Sequence, residues 1–380
     1  MNILGYAKRI KDISFNEQPF NDVDALLFAD LAYMNFVSAI KDEEFRLLKE
    51  IVVENNKEFY SVSYDGPYNK KLMSVIQNSN RYGDVKIGFC VSIDDVDTQT
   101  QFSAITIILP NGDGYVSYRG TDVTLNGIKE DLIVAYQDNI PGAIAALDYL
   151  SKAVTMFPGS FYIGGHSKGG NLALYSALNM DGKLNDRFIK IYSFDGPGFG
   201  KKLSEFPNFE CVLPKVNKYI TKNDMIGVVY NQIENAKIIH STGIMFGGHD
   251  LYKWQIDYNN FDFKYNEDRS FISKSHEEAL MNWLVNIPPS DKQLAVDVLC
   301  EFMGESTTVL DWLMNSARNL SNGKANLDSY SIEQRQRAKE IFKKLAVYYL
   351  HAYSPKAIFS RNKDEKEKEE LLLENGDEKD

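Results

Sequence analysis

The stretch Phe161-Tyr-Ile-Gly-Gly-His-Ser-Lys-Gly-Gly-Asn-Leu-Ala-Leu-Tyr-Ser-Ala-Leu178 decides the fold. Its first five residues predict a short buried strand, and the residues after Ser167 predict a helix. Between them, residues 165–169 match the pattern G-x-S-x-G, in which a serine occupies a sharp turn between strand and helix. Such a turn needs residues without bulk two positions before and after the serine, which Gly165 and Gly169 supply. We therefore expect Ser167 to be a nucleophile at a strand end.

Strand and helix patterns alternate on both sides of this turn. Runs rich in β-branched residues precede it at residues 86–93, 103–109 and 114–118, and another follows at 189–194. A helical pattern at 144–156 lies between the third run and the turn. This alternation is typical of right-handed crossovers on a mainly parallel sheet with helices on both faces. The sequence therefore predicts an α/β fold.

The segments further out suggest how the chain is divided. A helical pattern at 24–36 predicts an early helix that packs on the main core. We predict one domain over residues 1–258 and a helical region over 259–360, because strand signals fade after residue 259. Residues 361–380 are almost entirely Lys, Glu, Asp and Asn around one Leu-Leu-Leu, which predicts a solvated or disordered tail. Amphipathic helical patterns in the C-terminal region cover 293–306, 307–320 and 332–350.

Charge and hydropathy argue against nucleic acid as a partner and against a membrane-spanning segment. The 42 basic and 53 acidic residues give a net charge of -11, and no window is dense in Lys and Arg, so nucleic acid is not the expected partner. Nowhere do about 18 apolar residues run together without charge, so we expect peripheral membrane contact at most.

Three further features predict a cytoplasmic protein without a cofactor. The first fifteen residues contain no apolar core long enough for a secretory signal. The cysteines Cys90, Cys211 and Cys300 are odd in number and far apart, which fits buried reduced thiols. Cysteines and histidines show no zinc spacing, and we expect neither a metal nor an organic cofactor.

Four motifs carry a resemblance to a known family. They are Tyr118-Arg-Gly-Thr-Asp122, the elbow itself, Phe194-Asp-Gly-Pro-Gly-Phe-Gly200 and His249-Asp-Leu-Tyr-Lys-Trp254. The first three, in this order, resemble the motifs of class 3 lipases. The form of the elbow, together with the fourth motif, resembles still more the bacterial Mbeg-like branch. The resemblance spans roughly residues 24–254. It implies an α/β-hydrolase fold and a serine-dependent hydrolysis of carboxylic esters.

The resemblance also implies an oxyanion hole. It assigns Thr121 to this role, and the turn geometry adds the backbone N–H of Lys168 as a second donor. Lys168 departs from the secreted lipases, where a hydrophobic residue is common after the serine. A cation beside the nucleophile favours anionic or polar substrates over a purely apolar acyl chain.

A serine nucleophile needs a base and a carboxylate that orients it, in the chain order Ser, Asp, His. The resemblance places the histidine at His249, and a loop position downstream of Ser167 supports this choice. His240 is the reserve candidate. His166 lies inside the elbow and is expected to be structural, as are His276 and His351 on helical segments.

Two aspartates compete for the role of the acid. Asp224 lies just past a strand, where class 3 lipases carry their aspartate, and we prefer it. Asp195 ends the preceding strand and stays open as the alternative. Asp250, next to the proposed base, is expected to cap or orient its loop.

The sequence thus predicts a hydrolase that acts on a small-molecule or lipid ester, with residues 122–140 as a possible lid. Acyl transfer or thioester hydrolysis would use the same groups. A catalytically silent binding protein is a third interpretation, and the oligomeric state is open.

Overall fold

The computed structural model describes residues 1–41, 44–54, 56–61, 65–95, 98, 100–121, 133–134, 137, 139–303 and 330–354. Most of the expected lid, the helical pattern at 307–320 and the charged tail at 361–380 therefore lie outside the described residues. The domain boundaries at 258 and 360 stay predictions.

Within the described residues, eight strands form one sheet whose spatial order equals their order in the chain. Neighbours from β1 to β4 are antiparallel, and those from β4 to β8 are parallel. The carboxyl ends of β4 to β8 therefore meet at one edge, which confirms the predicted α/β architecture. The strands are β1 (Phe45–Leu47), β2 (Lys86–Asp95), β3 (Thr100–Ile108), β4 (Gly114–Tyr118), β5 (Phe161–His166), β6 (Phe188–Phe194), β7 (Val216–Thr221) and β8 (Lys237–Ile239).

Helices connect and cover the strands. The predicted early helix begins at Asp22, because Asn21 caps it by accepting the N–H groups of Val23 and Asp24, and it ends at Leu31. The helices are α1 (Ile3–Ile10), α2 (Asp22–Leu31), α3 (Gly66–Gln77), α4 (Pro141–Met156), α5 (Lys168–Asn179), α6 (Phe209–Val212), α7 (Phe271–Val285), α8 (Pro289–Met303) and α9 (Ile332–Ala352).

Side chains of β4 show how the sheet separates two cores, because successive residues of a strand point to opposite faces. The Tyr115 hydroxyl donates to the Ala25 carbonyl of α2 at 3.0 Å. The Tyr118 hydroxyl donates to the Ala146 carbonyl of α4 at 2.8 Å on the other face. Helices α1, α2 and α3 thus share one apolar core with the sheet, and α4 and α5 share the other.

The N-terminus is tied to a distant part of the chain. The Met1 amino group donates to the Ile256 carbonyl at 2.8 Å, and the Ile256 N–H donates to the Met1 carbonyl at 2.7 Å. The Asn2 side chain donates to the Tyr252 carbonyl at 3.1 Å. Helix α1 therefore packs beside the segment that follows His249, which sequence patterns did not predict.

The C-terminal helices form a third apolar cluster. The Trp283 indole donates to the Ile341 carbonyl at 3.1 Å, and Arg337 forms a two-pronged ion pair with Asp291. His276 of α7 joins this unit to the sheet domain through the Met225 carbonyl, 3.0 Å away. In the described part of the chain no helix has the length and apolar character needed to span a membrane.

Candidate active site

Ser167 lies at the turn between β5 and α5. Its backbone angles, φ 58° and ψ −131°, fall outside the regions that residues with a side chain ordinarily occupy. A Cβ atom on Gly169 would collide with the Tyr118 carbonyl, and one on Gly165 would collide with the backbone of Gly169. The two glycines are therefore required by close backbone approach, as expected for a strained elbow.

The proposed oxyanion donors lie beside this turn. Lys168 is the first residue of α5, so its N–H belongs to the positive end of the helix dipole. A Cβ on Gly120 would lie 3.0 Å from the Ser167 Cβ, so Thr121 directly follows a residue that packs on Ser167. The Lys168 ammonium is buried and donates to the Gln101 carbonyl of β3 at 2.9 Å. Part of its hydrogen-bonding capacity is thus used on the protein backbone.

The His249 ring is held by a carboxylate from the end of β6. Its Nδ1 lies 2.7 Å from Oδ2 of Asp195. Asp195 is fully buried, whereas the His249 side chain keeps 24% of its surface exposed to solvent. Asp195 has φ 54°, so strained backbones occur at the ends of two adjacent parallel strands. Such strain at Ser167 and Asp195 is typical of functional positions.

Asp224, the aspartate preferred from the sequence, lies beside Asp195, and none of its described hydrogen bonds goes to the His249 ring. Its Oδ1 accepts the N–H groups of Ile226 at 2.8 Å and Gly227 at 2.9 Å, and its Oδ2 is buried without a hydrogen-bond partner. Its local turn folds the carboxylate back onto its own backbone. The preference is corrected in this respect: the carboxylate on the His249 ring is that of Asp195.

His166 has a defined role that the sequence did not reveal. Its Nε2 lies 2.9 Å from the His249 carbonyl, and its Nδ1 lies 2.9 Å from the Tyr33 hydroxyl. Because a carbonyl only accepts, Nε2 carries the proton and Nδ1 accepts from Tyr33. Burial, followed by the neighbouring His249, lowers the pKa of His166 well below its ordinary value. A neutral His166 thus links the elbow to the loop of the base.

The motif His249–Trp254 holds its own loop in place. The Trp254 indole is fully buried and donates to the Gly248 carbonyl at 3.0 Å. Asp250 accepts the Tyr252 N–H at 2.9 Å and so caps the next short helical turn, as expected. The conformation around His249 is therefore fixed from both sides.

Comparison with known proteins agrees with these motifs. A family model described as Mbeg1-like matches residues 76–301, more than half of the chain. The chain belongs to the Mbeg1-like family. Among solved structures it is similar to M37 lipase, with 16% identity, a TM-score of 0.33, and coverage of 55% of this chain and 70% of that one. Lipase II from Rhizopus niveus has 14% identity, a TM-score of 0.35, and coverage of 66% and 89%. No curated protein matches.

The Mbeg1-like sheet and elbow together form an α/β-hydrolase fold. Asn171 of α5, another residue that the sequence analysis did not single out, supports the site by donating to the Gly198 carbonyl at 2.8 Å. This contact holds the turn that begins with Asp195. Two features of the sequence could have indicated this contact. Asn171 lies directly after the elbow, and the Asp-Gly pair at 195–196 tolerates the left-handed backbone angles of a tight turn.

Three side chains could form a metal site by distance alone. Possible ligand atoms of His166, Asp195 and His249 lie within 4.8 Å of one another. However, both nitrogens of His166 face hydrogen-bond partners, and Nδ1 of His249 faces Asp195. This donor set is better explained by a hydrogen-bonded network than by metal ligation.

The other histidines and two cavities lie away from Ser167. The reserve base His240 is exposed after β8, where its N–H donates to the Lys264 carbonyl. Cavities of about 310 and 660 Å³ lie on the β7 side and share Lys218 and Gln232 in their walls. Ser167 lines neither of these two cavities.

Proposed function

We propose that this Mbeg1-like chain is a serine hydrolase of carboxylic esters, with Ser167 as nucleophile, His249 as base and Asp195 as the carboxylate that orients the base. The contact between Asp195 and Nδ1 of His249 carries the proposal. It supports a protonated Nδ1, which leaves Nε2 as the proton acceptor. The strained backbone of Ser167 adds independent support.

The proposed reaction has two steps. The Ser167 Oγ attacks the ester carbonyl while its proton moves to Nε2 of His249, and Asp195 stabilises the resulting imidazolium. The backbone N–H of Lys168 and the Thr121 donors would bind the oxyanion. The imidazolium then gives its proton to the leaving alcohol. Water repeats the sequence on the acyl-enzyme and releases the acid, restoring Ser167.

We propose a small-molecule or lipid ester as substrate, reached through at most a peripheral contact with a membrane. The proposed compartment is the cytoplasm, which the odd number and wide spacing of the three cysteines support. Cys211 is exposed and Cys90 and Cys300 are half-buried, so the expectation of buried thiols was wrong.

The test is reaction with a fluorophosphonate, followed by turnover of p-nitrophenyl esters. Labelling should disappear in Ser167→Ala, and turnover should fall by about 10⁴-fold in Asp195→Asn, because the base loses its orienting charge. Asp148→Asn is the matched control, since Asp148 is exposed on α4. A wild-type chain that neither labels nor hydrolyses any ester would refute the proposal and favour a binding protein.

A further inference from the structure

Two buried carboxylates face each other behind the His249 ring. Asp195 and Asp224 are 0% and 1% exposed. An ideal Cβ placed on Gly227 would lie 2.5 Å from Oδ1 of Asp195 and 2.6 Å from Oδ2 of Asp224. These two oxygens therefore both border the same small space beside Gly227, which the absence of a side chain leaves open.

Neither facing oxygen has a hydrogen-bond donor. Oδ1 of Asp195 and Oδ2 of Asp224 are both buried without a partner, although the other oxygen of each carboxylate is bonded. Two ionised carboxylates in this arrangement would repel one another at a site without water contact. One proton between them removes the repulsion and satisfies both oxygens at once.

We propose that Asp224 is held protonated and donates a hydrogen bond from Oδ2 to Oδ1 of Asp195. This inference rests on the proposed function, in which Asp195 orients His249. Asp224 is then a positioning residue: it acts on the base through Asp195.

The surroundings determine which carboxyl carries the proton. Asp195 faces the His249 ring, and this contact favours its negative form. The buried Lys218, whose ammonium donates to the Gly196 carbonyl at 2.8 Å, attracts both carboxylates and does not distinguish between them. However, both backbone N–H groups that donate to Asp224 bind its Oδ1, so its Oδ2 is left to carry the proton.

The pKa shifts of the two aspartates agree with a protonated Asp224 and an ionised Asp195. Burial raises the pKa of Asp224 well above its ordinary value, and the charge of Asp195 raises it further. Burial also raises the pKa of Asp195, but to about 6, because Asp224 and Lys218 counteract the shift. Burial lowers the pKa of Lys218 to about 8 despite the two aspartates. Among the described residues, His276 interacts with Asp224, and Glu277 and Arg269 interact with Lys218.

The first test compares two variants at position 224 with one at position 195. In Asp224→Asn the new amide nitrogen can donate to Asp195 while the amide oxygen accepts from the backbone, so kcat should stay within about tenfold. Asp224→Ala removes the donor and should lower kcat by about 10–100-fold, the range typical of groups that orient a site. Asp195→Asn should lose about 10⁴-fold. Circular dichroism and thermal unfolding verify that each variant folds.

A pH profile separates positioning from a structural role. Loss of the donor removes an interaction that favours ionised Asp195, so the acid limb of kcat/KM should move to higher pH in Asp224→Ala. It should stay in place in Asp224→Asn. If Asp224→Asn instead loses as much kcat as Asp195→Asn while folded, Asp224 is the acid that must be ionised and the inference is wrong.

Infrared difference spectroscopy tests the proton without relying on activity. The measurement uses an Asp30→Asn background, because the Asp30 carboxyl is also fully buried and its pKa is raised to about 7. Near neutral pH this chain should show the C=O stretching band of a buried carboxylic acid, which Asp224→Asn should remove and Ser167→Ala should retain. A protein without esterase activity that shows this band would refute the proposed function alone. An active protein that lacks it would refute the shared proton alone.

Discussion

The Nε2–H of His166 donates to the backbone carbonyl of His249 across 2.9 Å. The residue before the nucleophile therefore holds the residue proposed as its base, although 83 positions separate them in the chain. Their rings also lie close, with centroids 4.4 Å apart. This contact couples the geometry of the elbow to that of the His249 loop.

Replacement of His166 by Phe should therefore misplace the base. We expect kcat to fall by about 10–100-fold with a smaller change in KM, because the lost contact affects proton transfer more than substrate binding. Steady-state kinetics measure the two effects. Tyr33→Phe removes only the hydroxyl group that donates to Nδ1 of His166, so it should lower kcat less than His166→Phe does. An unchanged kcat in folded His166→Phe would show that the loop is held by other contacts.

The two oxyanion donors should respond differently to substitution. Lys168→Met keeps the backbone N–H proposed to bind the oxyanion, so kcat should stay within about tenfold of wild type. Thr121→Val removes the hydroxyl and should lower kcat by about 10²-fold, whereas Thr121→Ser should retain most of it. Equal kcat in Thr121→Val and Thr121→Ser would contradict a role for the hydroxyl.

The elbow glycine Gly169 should not accept a methyl group. The added Cβ would overlap the Tyr118 carbonyl, so Gly169→Ala should destabilise the fold by roughly 1–3 kcal/mol or more. Gly247→Ala is the matched control, because a Cβ there meets nothing within 4 Å. Denaturant unfolding compares them. If the two variants were equally stable, the close approach of α5 to β4 would not be rigid.

Asp30 gives a stability effect with a defined pH window. Asp30 is fully buried, and of its two carboxylate oxygens only Oδ2 has a hydrogen bond, from the Tyr252 hydroxyl. Burial raises the pKa of Asp30 from 3.8 to about 7. The unfolded chain releases this proton first as the pH rises, so wild-type stability should fall between about pH 4 and pH 7.

Asp30→Asn removes the buried charge. The variant should be more stable than wild type by roughly a few kcal/mol near pH 8, and the difference should vanish only below about pH 4, where the Asp30 carboxyl is neutral in both the folded and the unfolded chain. Thermal unfolding at several pH values measures it, with the exposed Asp148→Asn as control. A stability difference independent of pH would contradict the raised pKa.

Local sequence patterns were sufficient to predict the central strands and the elbow. The strands β2 to β6 follow runs of β-branched residues, and the elbow follows its glycines, so both depend on neighbours in the chain. The three-residue strand β1 was not predicted, because long-range pairing with β2 stabilises it and outweighs local propensity. Helix α1 was also missed, although Asn2 caps it and its buried residues recur at helical spacing.

The choice between Asp195 and Asp224 shows what sequence patterns could not predict about the site. Both Asp195 and Asp224 follow strands that end at the same edge of the sheet, so chain order cannot separate them. The direction of each side chain depends on a single turn: positive φ at Asp195, and a backbone-bonded carboxylate at Asp224. The role of His166 likewise depended on which loop packs above it.

The paired backbone bonds between Met1 and Ile256 impose an order on biosynthesis. Met1 obtains its hydrogen-bond partner only after the 255 positions up to Ile256 have been made, whereas each strand of the sheet pairs with the one before it. The sheet can therefore grow as the chain emerges, while the contact beside α1 must wait. This contact closes when the His249 loop arrives, so Ser167 stays without its proposed base until most of the sheet has formed.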